Sequence, residues 1–292
     1  MMYDFHVHSN YSDGTDGVLE IANKANSINL TYLSITDHNT IDAYFDKNLN
    51  CYLGKIITGV ELTTTFNGEI IEILGYNFDI YKMKDLLDKH VLKFEEKQIL
   101  EFEIIINAYS KLGILLEKEN IKFNPKKESC KKYVLNEIIK YDYNDKFFYN
   151  LNSKNSSKLF RRNEVYNPKS KLFVDQTSLY PSLSKVVEII HSCGGVAILA
   201  HIFEYSNSNS LFNNLEEFIS MYDIDGIECV YPTFSTLEIS ELVRFCESKN
   251  LIITGGSDYH GNKRAVSLGD ISSDKSNNIE YNKLITLIDY IE

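Results

Sequence analysis

Short runs rich in apolar and β-forming residues recur at 3–7, 31–36, 55–60, 70–76, 196–200, 226–230 and 251–255, each passing into a polar or glycine-containing turn. Between several of them, at 17–29, 184–193, 211–222 and 235–249, apolar residues return every three or four positions, the period of an amphipathic helix. Near-continuous apolar strands alternating with such helices predict an α/β fold, a parallel sheet covered by helices. Seven strands favour a closed or nearly closed barrel over a doubly wound sheet. No segment repeats at a fixed period.

The alternation breaks between about residues 80 and 180. Residues 81–116 carry long helical material, with Leu86, Leu87, Val91, Phe94 and Ile99 on its apolar positions. A stretch rich in Lys, Asn, Ser and Tyr follows, including 141–145 and 150–157, without a core pattern. The domain reading is therefore a barrel of residues 1–80 and 181–292. It carries a mostly helical, basic insertion at 81–180 as a lid or substrate domain.

Composition changes this picture in two ways. With 43% hydrophobic and 12% aromatic residues in 292, the chain can build a large core, so disorder is not the default reading. The net charge of −11 speaks against a polyanionic substrate until its distribution is considered. Residues 122–162 hold eleven Lys and Arg against four Asp and Glu, a balance of +7 that leaves −18 on the remainder. Divalent metals can neutralise central carboxylates, so the acidity need not repel a phosphate. A basic surface facing only solvent is the other reading of that segment.

No basic stretch followed by an apolar run opens the chain, so no secretory signal is expected. Apolar runs such as 196–200 are too short to span a bilayer, and no membrane partner is expected. The five cysteines are scattered and show no C-x-x-C spacing. Neither a disulfide framework nor a structural zinc site is expected, and a reducing, cytoplasmic location fits.

Histidine carries the chemistry. Five of seven fall at or just beyond strand ends: His6, His8, His38, His201 and His260. His90 and His191 sit inside helical patterns as surface or packing residues. The spacing of His6 and His8 puts both imidazoles on one face of an extended strand, where two nitrogen donors suit a divalent metal. Asp258 and His260 repeat that geometry with one oxygen and one nitrogen donor. Glu61, following the 55–60 run, could bridge two ions. In a parallel barrel such strand ends meet at one mouth.

These residues closely resemble the polymerase-and-histidinol-phosphatase (PHP) family of metal-dependent phosphoesterases. The matching segments are His6-Val7-His8 through Ser12-Asp13-Gly14, Thr36-Asp37-His38, Gly59-Val60-Glu61, Gly194 through Ala200-His201, Gly226-Ile227-Glu228, and Gly256-Ser257-Asp258-Tyr259-His260-Gly261. The form of the first motif, with the insertion before His201, is most similar to the stand-alone branch. That branch includes nucleoside 3′,5′-bisphosphate phosphatases and 5′→3′ exoribonucleases. The resemblance implies a distorted (β/α)7 barrel, a trinuclear centre and hydrolysis of phosphate esters by metal-activated water.

Carried over by position, the resemblance implies that His6, His8, Glu61 and Asp258 hold a first metal. Glu61 would bridge to a second, with His201 and, at a position that is His in the family, Glu72. Asp13, His38 and His260 would hold a third. Glu61, Asp258 and His201 take the catalytic roles, while Asp37 orients His38 and Glu228 supports the ligands from behind. A carboxylate at position 72 either favours Mn, Fe or Mg over Zn at that site or leaves the site weak or empty; two or three divalent ions are expected, Zn included.

Two further departures concern substrate selection. The segment after His201 is Ile202-Phe203-Glu204-Tyr205, without the family's nearby Pro and Arg, and a Gly-Arg-Pro-His-like segment has become Cys130-Lys131-Lys132-Tyr133-Val134. Of the four arginines, Arg264 lies four residues after His260 as a phosphate clamp or a surface ion pair. Arg161 and Arg162 either close over the mouth or face solvent. Phe147, Phe148, Tyr149 and Phe160 could stack a base or pack the insertion. Three functions follow in order: a nucleotide or RNA 5′-end phosphoesterase, a small-molecule phosphatase of histidinol-phosphate type, and a non-catalytic module. The expected partners are a phosphorylated small molecule, a nucleotide or a short RNA end, and no duplex DNA.

Overall fold

The computed structural model describes residues 2–117, 122–205, 208–273 and 278–291, so residues 118–121 of the expected insertion lie outside the described residues. The chain divides into two compact units, one of residues 1–66, 70–91 and 181–292, the other of 67–69 and 92–180. The second unit begins at Leu92, whereas the sequence pattern sets the insertion at 81. Residues 80–90 form a helix whose Met83 and Leu87 are buried in the core of the first unit.

The first unit is α/β. Its strands are β1 (Tyr3–Asp4), β2 (Tyr32–Leu33), β3 (Lys55–Ile56), β4 (Gly59–Phe66), β5 (Glu69–Tyr76), β6 (Val196–Leu199), β7 (Gly226–Val230) and β8 (Ile252–Gly255). They form two sheets, β1-β2-β3 and β4-β5-β6-β7-β8. Among the described residues no extended ladder joins the two sheets. Isolated parallel bridges extend the pairing, Val7 to Tyr259 and His38 to Glu61. Each bridge joins residues that follow strands of the first sheet to residues of, or following, strands of the second.

The helices of this unit include α1 (Val18–Ser27) and α2 (Ile80–His90). The second unit contains α3 (Phe94–Lys111), α4 (Cys130–Ile138) and α5 (Ser157–Phe160). The first unit resumes with α6 (Leu183–Ser192), α7 (Ser208–Asn213), α8 (Leu215–Tyr222), α9 (Thr236–Lys249), α10 (Asn278–Asn282) and α11 (Leu287–Ile291). Local chemistry sets several ends. Ser235 and Glu238 form a reciprocal cap at the start of α9, and Asn250 ends it in the left-handed conformation. No described helix is long and apolar enough to cross a membrane.

Two expectations are corrected. The sheet is not purely parallel, because β5 runs antiparallel to β6. No helix separates β4 from β5, and the two-residue link Asn67-Gly68 has both φ angles positive (49° and 80°), the geometry of a hairpin turn. The 55–60 run is also two strands, and the second continues to Phe66. Glu61 therefore sits within β4 rather than beyond a strand end, and Glu72 within β5. The hairpin projects both carboxylates from rigid backbone.

In the second unit a separate core gathers Ile105, Tyr109, Val134, Ile138, Phe160 and Val165. Phe160 is fully buried there and Phe147 and Phe148 pack against it, so these three serve the core. Tyr149 is 61% exposed.

Candidate metal centre

The segment following β1 carries His6 and His8, both fully buried, with their Nε2 atoms 3.1 Å apart. Two imidazoles on alternate strand positions therefore face one point, as the two-residue period requires. Glu61 meets four imidazoles. Its Oε1 lies 3.0 Å from His201 Nε2 and 3.4 Å from His6 Nε2, and its Oε2 lies 3.2 Å from His8 Nε2 and 3.0 Å from His38 Nδ1.

Glu72 reaches the same point from β5, with Oε1 3.4 Å from His38 Nδ1 and Oε2 3.4 Å from His201 Nε2. Tyr205 fixes that strand position: its hydroxyl accepts from Glu72 N at 2.9 Å. A residue of the segment that follows His201 thus serves to seat Glu72. Asp13 closes the outer side, with Oδ1 3.0 Å from His260 Nε2 and 3.8 Å from both His8 and His38.

Asp258 presents Oδ1 to His8 Nε2 at 3.1 Å and to His6 Nε2 at 3.6 Å. Its Oδ2 accepts a hydrogen bond from Tyr231 Oη at 2.6 Å and another from Arg264 Nη1. The carboxylate is split, one oxygen toward the imidazoles and one clamped. Gly256 allows this approach. A Cβ there would lie 2.4 Å from His6 N and 2.3 Å from His6 Cβ, so only glycine lets this segment pass His6. Asp258 itself has φ +51° and His201 φ +20°, strained values for non-glycine residues that the surrounding bonds hold in place.

Behind the donors lies a supporting layer. Glu228 Oε1 accepts from His6 Nδ1 at 2.9 Å and its Oε2 from His201 N at 2.9 Å. His260 Nδ1 is 2.8 Å from the carbonyl of Asp258, which can only accept. In both rings the proton thus sits on Nδ1 and Nε2 points inward. Asp37 does not hydrogen-bond His38. Its carboxylate accepts from Ser9 N, Ser9 Oγ and Ser12 Oγ at 2.5–2.8 Å, anchoring the loop that bears Asp13.

Buried Asp4 likewise accepts from Ser257 N, Ser257 Oγ and Gly269 N, holding the chain before Asp258. Tyr231, Asp4, Ser9, Ser12 and Tyr205 were not singled out in the sequence. Their only local signal is a polar or aromatic side chain flanking an apolar run.

The donor set fits divalent cations. Four sets of side chains bring one ligand atom each within 4.8 Å of one another: His8-Asp13-His38-His260, His6-His8-Glu61, His6-His201-Asp258 and His38-Glu61-Glu72. His6, His8 and Glu61 fall together, as do Asp13, His38 and His260; His8 also joins the Asp13 set, His38 also stands with Glu72, and His201 with Asp258. His8 Nδ1, His38 Nδ1, His201 Nδ1 and Glu61 Oε2 are buried without a hydrogen-bond partner. A buried polar atom without a partner is costly, and a cation between His38 Nδ1 and Glu61 Oε2, 3.0 Å apart, would satisfy both.

Arg161 and Arg162 are exposed on a helical turn of the second unit. Arg264, 44% exposed at its side chain, pairs with Asp258 instead of lying free.

The electrostatics agree with a cation site. Burial pulls the His6 imidazole down, but the Glu228 and Glu61 carboxylates outweigh it and lift its pKa up to about 10. Burial also opposes charge on Glu61, yet His38 and His6 hold it well below the usual carboxylate range. In the metal-free protein His6 thus keeps its second proton where a cation would otherwise sit. Metal binding near neutral pH must displace that proton, so affinity should rise about tenfold per pH unit there. Calorimetry in two buffers of different ionisation enthalpy checks this. Binding that releases no proton would contradict it.

Comparison with known proteins agrees with this geometry. A family model described as PHP domain matches residues 4–223. A 5′-3′ exoribonuclease of Haemophilus influenzae is 26% identical over 269 residues, covering 88% of this chain and 89% of that protein. The 5′-3′ exoribonuclease Rnm of Escherichia coli is 23% identical, covering 92% and 88%.

Among solved structures, an amidohydrolase from Chromobacterium violaceum with bound sulfate superposes with a TM-score of 0.65 at 18% identity, covering 91% of this chain and 90% of that one. A protein from Bifidobacterium adolescentis assigned as a metal-dependent phosphoesterase gives 0.61 at 17%, covering 98% and 97%. At these identities the two likenesses concern the fold. With three quarters of its length matched by the family model, the chain belongs to the PHP domain family and is a metal-dependent hydrolase of phosphate esters.

Proposed function

We propose that this phosphoesterase acts on nucleotides or the 5′ ends of short RNA, using two or three divalent ions held by His6, His8, Asp13, His38, Glu61, Glu72, His201, Asp258 and His260. The observation that carries it is the convergence of these nine side chains, five imidazoles and four carboxylates, on one point. The two exoribonuclease relatives, aligned over nearly their whole length, support RNA as the substrate class. The bridges from Val7 to Tyr259 and from His38 to Glu61 support a distorted (β/α)7 barrel as the scaffold.

Divalent ions bound here would lower the pKa of a water and neutralise phosphoryl oxygens. The protein's own groups do the rest. Glu61 places one oxygen on the His6–His201 side and the other on the His8–His38 side, the disposition of a bridging carboxylate. Asp258, with Oδ2 occupied by Tyr231 and Arg264, keeps Oδ1 to orient or accept a proton from an attacking water. His201, held at its backbone by Glu228, presents Nε2 between Glu61 and Glu72. Arg264 keeps part of its guanidinium exposed and can meet a substrate phosphate. Three carboxylates with Glu72 make a hard donor set, for which Mn, Fe or Mg is the better match than Zn.

The test is a substrate panel in Mn²⁺: a 5′-phosphorylated RNA oligonucleotide, a nucleoside 3′,5′-bisphosphate and histidinol phosphate. The first two should exceed the third in kcat/KM on the order of 10²-fold, the discrimination a site built around a base can reach. Preference for histidinol phosphate would replace this reading with the small-molecule one.

A further inference from the structure

The second unit carries seventeen Lys and Arg against thirteen Asp and Glu, a balance of +4, while the remainder of the chain is −15. Several of its cations are matched: Lys131 with Glu101, Lys140 with Glu137 and Lys154 with Asp145. Among the described residues no ion pair engages Lys158, Arg161, Arg162, Lys169 or Lys171, and all five are exposed. Lys158, Arg161 and Arg162 lie three and four positions apart on α5 and the turn that continues it, so they share one face.

A buried carboxylate gathers the rest around that turn. Glu164, fully buried, accepts hydrogen bonds from Tyr149 N and Asn150 N, both 2.8 Å, and from Ser170 Oγ. It thereby ties three segments together: the helical turn of Arg161 and Arg162, the loop of Tyr149, and the loop in which Lys169 and Lys171 flank Ser170. Glu164 makes no ion pair with these cations, because its oxygens are used by the backbone and by Ser170. The result is a cluster of unmatched cations beside an aromatic ring that is 61% exposed. Like charges so gathered repel one another and call for an anionic partner. A planar aromatic side chain among them adds a stacking platform, the combination used for single-stranded nucleic acid.

We propose that this face of the second unit binds a single strand of RNA, with Lys158, Arg161, Arg162, Lys169 and Lys171 on phosphates and Tyr149 stacked on a base. The inference rests on the RNA reading of the proposed function, but it concerns binding rather than cleavage, and the two can fail separately.

The experiment uses the full chain in EDTA, so that nothing is cleaved, and a 3′-fluorescein-labelled RNA 12-mer followed by anisotropy. Charge reversal in K158E/K169E/K171E should weaken binding by about tenfold or more and reduce the salt slope by about 2. Tyr149→Ala should weaken it about tenfold with the salt slope unchanged. Thermal unfolding of each variant serves as the fold control, and K158A/K169A/K171A replaces the reversal if that protein does not fold.

Unchanged binding in these variants, no binding by the wild type at low salt, or displacement by polyglutamate as effective as by unlabelled RNA would each overturn the inference. Wild-type protein that binds RNA through this face but releases no nucleotide from it in Mn²⁺ would leave the inference standing and remove the RNA function. Cleavage of RNA with binding indifferent to the substitutions would do the reverse.

Discussion

Glu61→Gln is expected to lower phosphoester hydrolysis on the order of 10³-fold and to reduce the metal bound per chain. Glu61 is almost fully buried and, among the described residues, is the one carboxylate that approaches His6, His8, His38 and His201, at 3.0–3.4 Å. The amide is nearly isosteric but neutral, and one of its two positions is a donor. It can therefore present an oxygen to one side of the cluster only, and a nitrogen that cannot ligate to the other. Loss of its charge also lets the pKa of His6 and His201 fall, so these imidazoles give up a proton to metal more easily, which offsets only part of the lost carboxylate ligand. Metal content by mass spectrometry and turnover in excess Mn²⁺ should fall together. Wild-type turnover at wild-type metal content would remove Glu61 from the bridging role.

The five clustered histidines could be found from the sequence because imidazole is rare there, and each sits where an apolar run ends. Their i, i+2 spacing carries geometric information on its own. Glu61 and Glu72 were identifiable as donors, yet their placement inside strands was not. The β4 stretch beyond Val60 is Glu61, Leu62, Thr63, Thr64 and Thr65, too polar for an apolar-run criterion. It is nonetheless a strand, because it pairs with β5 across the Asn67-Gly68 turn and turns buried polar residues toward the cluster.

Helices α1, α6 and α9 of the first unit were foreseen closely, since their period depends on near neighbours alone, whereas the 211–222 pattern is two helices and α10 and α11 were not foreseen. Residues acting across long separations were not. Asp4 bonds Ser257 and Gly269 more than 250 positions away. Tyr231 meets Asp258 only once β7 and β8 pair in parallel. Asp37 was expected to serve the adjacent His38 and instead anchors Ser9 and Ser12, because strand pairing brings those two closer than its sequence neighbour's ring.

Glu228→Ala tests whether that layer behind the donors matters as much as the donors. Glu228 is fully buried and touches no expected metal position directly; it holds the Nδ1–H of His6 and the backbone N–H of His201. Removal leaves two buried donors without an acceptor, a loss of about 1–3 kcal/mol for each group that water cannot reach. It also frees the His6 ring to rotate or to take the other tautomer, in which Nε2 carries the proton and cannot bind metal. Metal affinity should drop about 10–100-fold, the range seen when such orienting groups are lost. Glu228→Gln keeps one acceptor oxygen and should lie nearer the wild type, since it can still satisfy His6 while its amide nitrogen opposes the His201 N–H. Competition against a calibrated chelator measures both variants, with thermal unfolding of the metal-free proteins giving the stability term separately. Wild-type affinity in Glu228→Ala would mean that packing alone orients His6, and the carboxylate behind it would then have no part in holding metal.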